Sequence, residues 1–144
     1  MTRSKKLFFL IALTLLCVGC DQITKSLARQ RLEGEPTLYW AGDLVRLHYS
    51  ENAGAFLGLG SALPEAVRFW TLIVGVGVVL VGLGWWAYVT EDLPPMGVLC
   101  IGLVFGGGLS NWLDRVRYAG RVVDFLNVGV GPLRTGIFNV ADIA

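Results

Sequence analysis

The chain has 144 residues, of which 54% are hydrophobic and 16% are charged, with a formal net charge of +1 and a mean hydropathy of +0.61. A soluble domain of this size has too much surface to bury so large an apolar fraction, so the composition predicts one polytopic membrane domain over residues 1–144. The small net charge, and the lack of a basic stripe interleaved with aromatic residues, give no indication of nucleic-acid binding.

The first apolar segment follows a short basic start that ends at Lys6. Its uncharged run, from Leu7 to Cys20, is shorter than the ~20 residues that cross a bilayer. We therefore expect the helix to continue past Asp21 and Lys25, which gives a first span over about residues 7–27. Asp21 and Lys25 are four residues apart, a spacing that places them on one helix face where they can pair.

The three cysteines all lie in apolar segments, and none has a metal-ligand spacing with His48. We interpret them as small packing residues and expect neither a metal nor a cofactor. The stretch from Cys17 to Cys20 also resembles the end of a bacterial lipoprotein signal peptide, with Cys20 as the lipidated residue. A retained helix is favoured because Cys17 stands where such signals usually carry a branched aliphatic residue, and because further spans follow. That the chain is itself a lipoprotein stays as an alternative.

Residues 28–65 differ in character from the first span. A turn near Pro36 precedes two stretches of alternating character, Leu38–Trp40 and Leu44–Tyr49, which predict short strands outside the membrane. The motif Glu51–Phe56 and the stretch Leu57–Ser61 follow, rich in small residues that are typical of a turn and loop. In a functional interpretation, the amide of Asn52 lies beside the backbone of a substrate.

Two further spans are predicted over residues 67–89 and 96–113, each long and apolar enough to cross a bilayer. Their glycines favour close helix packing rather than a phosphate loop, since no strand precedes them. Residues 114–136 are interpreted as a polar connection, and a fourth apolar segment begins at about residue 137. It is too short to span before Ala144, so we expect a truncated fourth helix, which would leave this chain inactive or unstable. The basic N-terminal residues favour a cytoplasmic N-terminus.

With that orientation, six polar residues reach the outer side of the membrane: Asp21, Asn52, Asn111, Asp124, Asn139 and Asp142. Ionisable side chains beside apolar segments are costly unless they serve a partner or a wet cavity. Two carboxylates a few ångströms apart share a proton and titrate as a pair, which suits the acid and base steps of water attack on a peptide carbonyl. From spacing alone an alternative remains, in which the two late aspartates pair with loop arginines and only anchor helices.

Five motifs in order resemble those of the lipoprotein signal peptidases, the type II signal peptidases of bacteria. Each motif would be weak alone, but the five cover nearly the whole chain with the spacing of the family. They are Asp21–Lys25, Glu51–Phe56, Gly106–Arg115, Val122–Phe125 and Phe138–Asp142.

The resemblance implies an all-α polytopic membrane protein with four transmembrane helices and a small extramembrane β-sheet cradle. It implies an aspartic endopeptidase of the bacterial inner membrane, active at the outer face, that cleaves diacylglyceryl-modified prolipoproteins on the N-terminal side of the lipidated cysteine. Membrane lipid is the other expected partner, and we expect a monomer. By motif position, the catalytic dyad is Asp124 and Asp142. The substrate pocket and support of the dyad are expected from Asn52, Gly54, Asn111, Arg115, Asn139 and Ala141. Helix packing and positioning are expected from Asp21, Lys25, Gly107 and Asp114.

Overall fold

In the computed structural model, which describes residues 2–55 and 58–144, long helices dominate the fold. Phe56, the last residue of the second motif, and Leu57 lie outside the described residues. Three of the described helices are long and apolar enough to cross a membrane: Arg3–Leu32 (α1), Glu65–Val89 and Pro95–Arg117 (α4). They coincide with the three full spans expected from the sequence, and each extends beyond the predicted bounds. The mostly helical membrane architecture is therefore confirmed.

α1 and α4 pack closely because glycines on α4 remove side-chain volume from their interface. A Cβ atom built at Gly102 would lie 2.6 Å from Leu13 Cδ2, and one at Gly106 would lie 2.7 Å from Cys17 Cβ. Alanine at position 106 would therefore push the two helices apart, whereas alanine at position 102 would require the Leu13 side chain to move. The contact continues toward Asp21, so the acidic end of the α1 apolar run lies beside α4.

The middle long helix is not regular. It consists of a short α-helix, a seven-residue π-helix and a longer α-helix: α2 (Glu65–Arg68), the π segment (Phe69–Gly75) and α3 (Val76–Val89). α3 packs on α4, where Gly84 lies opposite Phe105 and Gly108 lies opposite Leu80.

Outside the long helices, four antiparallel strands form one sheet in the order β1-β2-β3-β4. Their bounds are Leu38–Trp40 (β1), Val45–Asn52 (β2), Val122–Val130 (β3) and Leu133–Arg134 (β4). The first two confirm the predicted strands. The last two replace the polar connection predicted over residues 114–136, which was wrong. The error has a physical reason: a nearly continuous apolar run such as β3 lacks the alternation by which strands are recognised.

The sheet is held against the C-terminal end of α1 by a small apolar core of Ala28, Leu32, Val123 and Phe125. After β4, the chain returns to α4 and ends in a 3-10 turn over Val140–Ile143, where the sequence predicts the start of a fourth helix. The sheet and this turn therefore converge on the same end of α1 and α4.

Candidate active site

Asp124 is the third residue of β3 and pairs in register with Ser50 of β2. Its side chain is 3% exposed. Oδ2 accepts a hydrogen bond from Asn52 Nδ2 at 3.0 Å, and Oδ1 accepts one from Asn139 Nδ2 at 2.6 Å. Burial raises the pKa of Asp124 to about 6, and the charge of Asp142 acts in the same direction, while the two amide hydrogen bonds oppose the rise. This carboxyl group therefore exchanges its proton near neutral pH.

Asp142 occupies the 3-10 turn and is exposed. A capping box holds it: Asp142 N donates to Asn139 Oδ1 at 3.2 Å, and Asn139 N donates to Asp142 Oδ2 at 3.1 Å. Its other oxygen accepts a hydrogen bond from Asn111 Nδ2 on α4 at 3.0 Å. The turn and α4 thus each hold one oxygen of a carboxylate that still faces solvent.

Asn139 is the connection between the two aspartates. Its side chain is fully buried, donates to Asp124 and also donates to Asn111 Oδ1 at 3.1 Å. Its oxygen and its backbone amide hold Asp142. One asparagine therefore sets the relative position of Asp124 and Asp142. Neither forms an ion pair with an arginine in the described part of the chain, so the arginine-pairing alternative has no support there.

A buried ionic cluster supports this arrangement from the α1–α4 interface. Lys25 Nζ lies 2.5 Å from Asp21 and 2.8 Å from Asp114, which confirms the predicted pairing of Asp21 with Lys25. Lys25 also donates to Asn111 Oδ1 at 2.7 Å, and Asp21 Oδ1 accepts the Ala141 amide at 2.9 Å. The cluster thereby contacts both the Asn111 side chain and the backbone of the turn that carries Asp142.

Arg115 ties the loop after β2 to α4. Its Nη2 donates to the Gly54 carbonyl at 2.8 Å, and its Nη1 donates to the Asn111 carbonyl at 3.2 Å. Asn52 Oδ1 accepts the Gly54 amide at 2.8 Å. A Cβ atom at Gly54 would lie 2.6 Å from the Leu59 carbonyl oxygen, so the fold of this loop requires glycine.

A cavity of about 210 Å³ opens over the two aspartates. The middle helix contributes only apolar residues to this cavity, Leu72 and Val76. The polar lining consists of Asn52, Asn111, Arg115, Asp124, Asn139 and Asp142. The apolar lining consists of Ala55, Leu72, Val76, Gly108 and Val122.

The structure thus brings together the residues that the motifs single out. Gly54 and Ala141 act through their backbones, and Gly107 permits contact with the turn, because a Cβ atom there would overlap the Ala141 carbonyl oxygen. Sequence reasoning missed Gln22, which donates to Asp114 at 2.8 Å, and Ser110, which donates to Asp21 at 2.7 Å. Both lie inside recognised motifs, so that signal was available. It also missed the cavity wall of Leu72 and Val76, which the sequence does not distinguish from ordinary apolar residues of a span.

No group of three or more histidine, cysteine, aspartate or glutamate side chains in residues 2–55 and 58–144 is arranged to hold a metal ion.

Cys20 lies within α1, and the helix continues for three further turns to Leu32. The polar end of α1 is therefore an integral part of the site.

Comparison with known proteins agrees with this geometry. The chain is 33% identical over 142 residues to a lipoprotein signal peptidase of Sphingopyxis alaskensis, covering 97% of this chain and 80% of the relative. It is 34% identical over 148 residues to a lipoprotein signal peptidase of Chlorobium phaeobacteroides, covering 96% of this chain and 88% of the relative.

Two solved structures, each described as a bacterial membrane enzyme, are similar in fold. One superposes with a TM-score of 0.75 at 26% identity and the other with a TM-score of 0.73 at 25% identity. Each comparison covers 93% of this chain, with 78% and 83% of the respective solved chains. The family model described as signal peptidase (SPase) II matches residues 13–144. This chain belongs to the signal peptidase II family.

Proposed function

We propose that the chain is an aspartic endopeptidase that removes the signal peptide from diacylglyceryl-modified prolipoproteins, cutting on the N-terminal side of the lipidated cysteine. Family membership supports the removal of signal peptides from prolipoproteins. One observation carries the aspartic mechanism: Asn139 holds Asp124 and Asp142 together at the floor of a cavity beside apolar helices.

The two carboxyl groups have different surroundings and so suit different roles. Asp142, exposed to the cavity, takes a proton from the water that attacks the scissile carbonyl. Asp124, buried and with a pKa of about 6, carries the other proton and donates a hydrogen bond to the carbonyl oxygen. As the tetrahedral intermediate collapses, a proton passes to the departing amine, and the dyad returns to its starting protonation.

The rest of the cavity suits a peptide that carries lipid. Leu72 and Val76 give it an apolar wall that joins the membrane-spanning part of the middle helix. On the opposite side, the Asn52–Gly54 loop and Arg115 offer polar groups to the backbone of the cleavage region. An apolar side and a polar side over the same carboxylates fit a lipidated cysteine next to the peptide bond that is cut.

The chain is a bacterial membrane protein by family and by its three apolar helices. We place its N-terminus in the cytoplasm and the dyad at the outer face of the inner membrane, within a single domain that has a four-helix architecture and acts as a monomer. Single cysteines test the orientation. Arg121→Cys should react with a membrane-impermeant maleimide added outside intact cells, and Asp92→Cys should not. Reaction of only the latter would invert the topology.

The substrate assignment is tested with a diacylglyceryl prolipoprotein and its unlipidated form, each incubated with the enzyme. We expect mass spectrometry to show a mature product that begins at the lipidated cysteine, and no product from the unlipidated form. Equal cleavage of both forms, or cleavage at another bond, would contradict the proposal.

A further inference from the structure

The π segment, Phe69–Gly75, lies beside the candidate active site, since its Leu72 lines the cavity there. Most π-helical stretches are single turns inside α-helices, and they concentrate at functional sites. Here the Val76 amide bonds to the carbonyls of Thr71 and Ile73, whereas an α-helix would use the carbonyl four residues back. The segment holds about one more residue than an α-helix of the same height.

A widened turn disturbs the regular pairing of carbonyl groups, which is costly in an apolar environment. The Ile73 carbonyl oxygen, which accepts the Val76 amide, accepts a second hydrogen bond from the indole Nε1–H of Trp112 on α4 at 2.8 Å. The indole fits because the facing residue on α3 is Gly77, where a Cβ atom would lie 3.1 Å from Trp112 Nε1. The π segment therefore receives a hydrogen bond from the Trp112 indole, and the missing side chain of Gly77 leaves room for that indole.

The register of this helix decides which side chains reach the cavity. Leu72, inside the π segment, and Val76, just after it, both line the cavity over Asp124 and Asp142. If the π segment became α-helical, the helix on its N-terminal side would rotate by about 100° relative to α3. Ile73 would then take the position of Leu72, and α2 would turn with it.

We infer that Trp112 is a specificity-determining positioning residue: its hydrogen bond to Ile73 holds the π segment in register and thereby presents Leu72 to the substrate. Its effect on catalysis rests on the proposed function, whereas its effect on register does not. The proposed ligand of this wall is the apolar part of the lipidated substrate. Trp112 itself acts through the helix, because it bonds to the Ile73 carbonyl and is not among the residues that line the cavity.

Thiol labelling measures the register directly. Cys17, Cys20 and Cys100 are replaced by serine, and Leu72→Cys or Ile73→Cys is introduced with or without Trp112→Phe, which removes the indole N–H and keeps an aromatic ring. With Trp112 present, we expect a water-soluble maleimide to react faster at position 72 than at position 73. In Trp112→Phe, this order should be reversed. The same change at Trp86, an exposed aromatic residue of α3, should leave the order unchanged.

Two further measurements keep the test decisive. If Trp112→Phe does not fold, Gly77→Ala displaces the indole by a smaller change and should reduce the ratio of the two labelling rates. In a form that cleaves prolipoprotein, Trp112→Phe should raise KM about fivefold, the effect of one lost hydrogen bond, with kcat changed less than about twofold. An unchanged order of labelling in folded Trp112→Phe would overturn the inference. Absence of cleavage in every form would instead contradict the proposed function and leave the labelling result to decide the register.

Discussion

Replacing Asp21 by alanine tests whether the cluster behind the site positions the dyad. Asp21 is fully buried and accepts hydrogen bonds from three sources: Lys25, the Ser110 hydroxyl group and the Ala141 amide. Truncation leaves all three donors without this partner. Because Ala141 directly precedes Asp142, the substitution also releases one of the contacts that hold the turn carrying Asp142 against α1.

The magnitude follows from what each donor retains. Removing one partner of a buried ion pair costs about 3–5 kcal/mol, and the lower end applies here because Lys25 keeps Asp114 and Asn111. The unpaired hydroxyl and amide groups each add about 1 kcal/mol. We therefore expect Asp21→Ala to lower the free energy of unfolding by about 5 kcal/mol, and Asp21→Asn to lower it by about half as much, since an amide oxygen still accepts.

The assay is thermal or denaturant unfolding in detergent, followed by tryptophan fluorescence, with prolipoprotein cleavage measured on the folded fraction. Asp92→Ala, which removes an exposed loop carboxylate, is the matched control and should leave both readouts unchanged. A loss below about 1 kcal/mol in Asp21→Ala, with cleavage intact, would show that the cluster neither stabilises the fold nor positions Asp142.

Three more predictions concern Asp124 and the 3-10 turn that carries Asp142. Burial raises the pKa of Asp124 to about 6, above the ~3.9 of an unfolded chain, so the contribution of Asp124 to stability should fall as pH rises from about 4 to about 6. In Asp124→Asn, the Tm should no longer show this fall between about pH 4 and about pH 6. A Tm profile identical to that of the parent would refute the pKa assignment. Asp142→Asn removes a neighbouring charge that raises this pKa, so infrared titration of the Asp124 carboxyl band should give a lower midpoint, and a higher one would contradict the described geometry. Gly107→Ala should displace the Ala141 carbonyl and reduce cleavage, whereas Gly82→Ala, which has open space around it, should not; equal activities would remove the steric role of Gly107.

Local spacing predicts several features of the fold correctly. The four-residue separation of Asp21 and Lys25 predicts their pair, because helical periodicity alone brings them together. The apolar runs predict the three long helices, since length and hydropathy are sufficient for a span. The alternation before Tyr49 predicts the first two strands of the sheet.

Features set by distant residues could not be found in this way. Asp114, the second carboxylate on Lys25, lies far along the chain, so no local pattern connects them. β3 escaped prediction because its first four residues, Val122–Phe125, are all buried, so that the strand lacks the alternation of apolar and polar residues by which strands are recognised. The π segment has no local signal, since its Ile73 carbonyl is paired by Trp112 of another helix. Sequence reasoning singled out Asp124 and Asp142 and predicted that the polar residues share one side of the membrane, whereas the assignment of these two as the catalytic dyad depended on the family motifs.

The most direct test of the central claim is the cleavage rate of a diacylglyceryl prolipoprotein in detergent, followed by gel shift. The enzyme carries an apolar helix appended after Ala144 and is compared with its Asp124→Asn, Asp142→Asn and Asp92→Asn forms, each first shown to be folded. We expect each dyad substitution to slow cleavage by about 10²–10⁴-fold, the contribution of a positioned acid or base, and the Asp92 control to match the parent. Cleavage at the parent rate by a folded Asp124→Asn or Asp142→Asn enzyme would remove that aspartate from the chemistry and contradict the dyad mechanism.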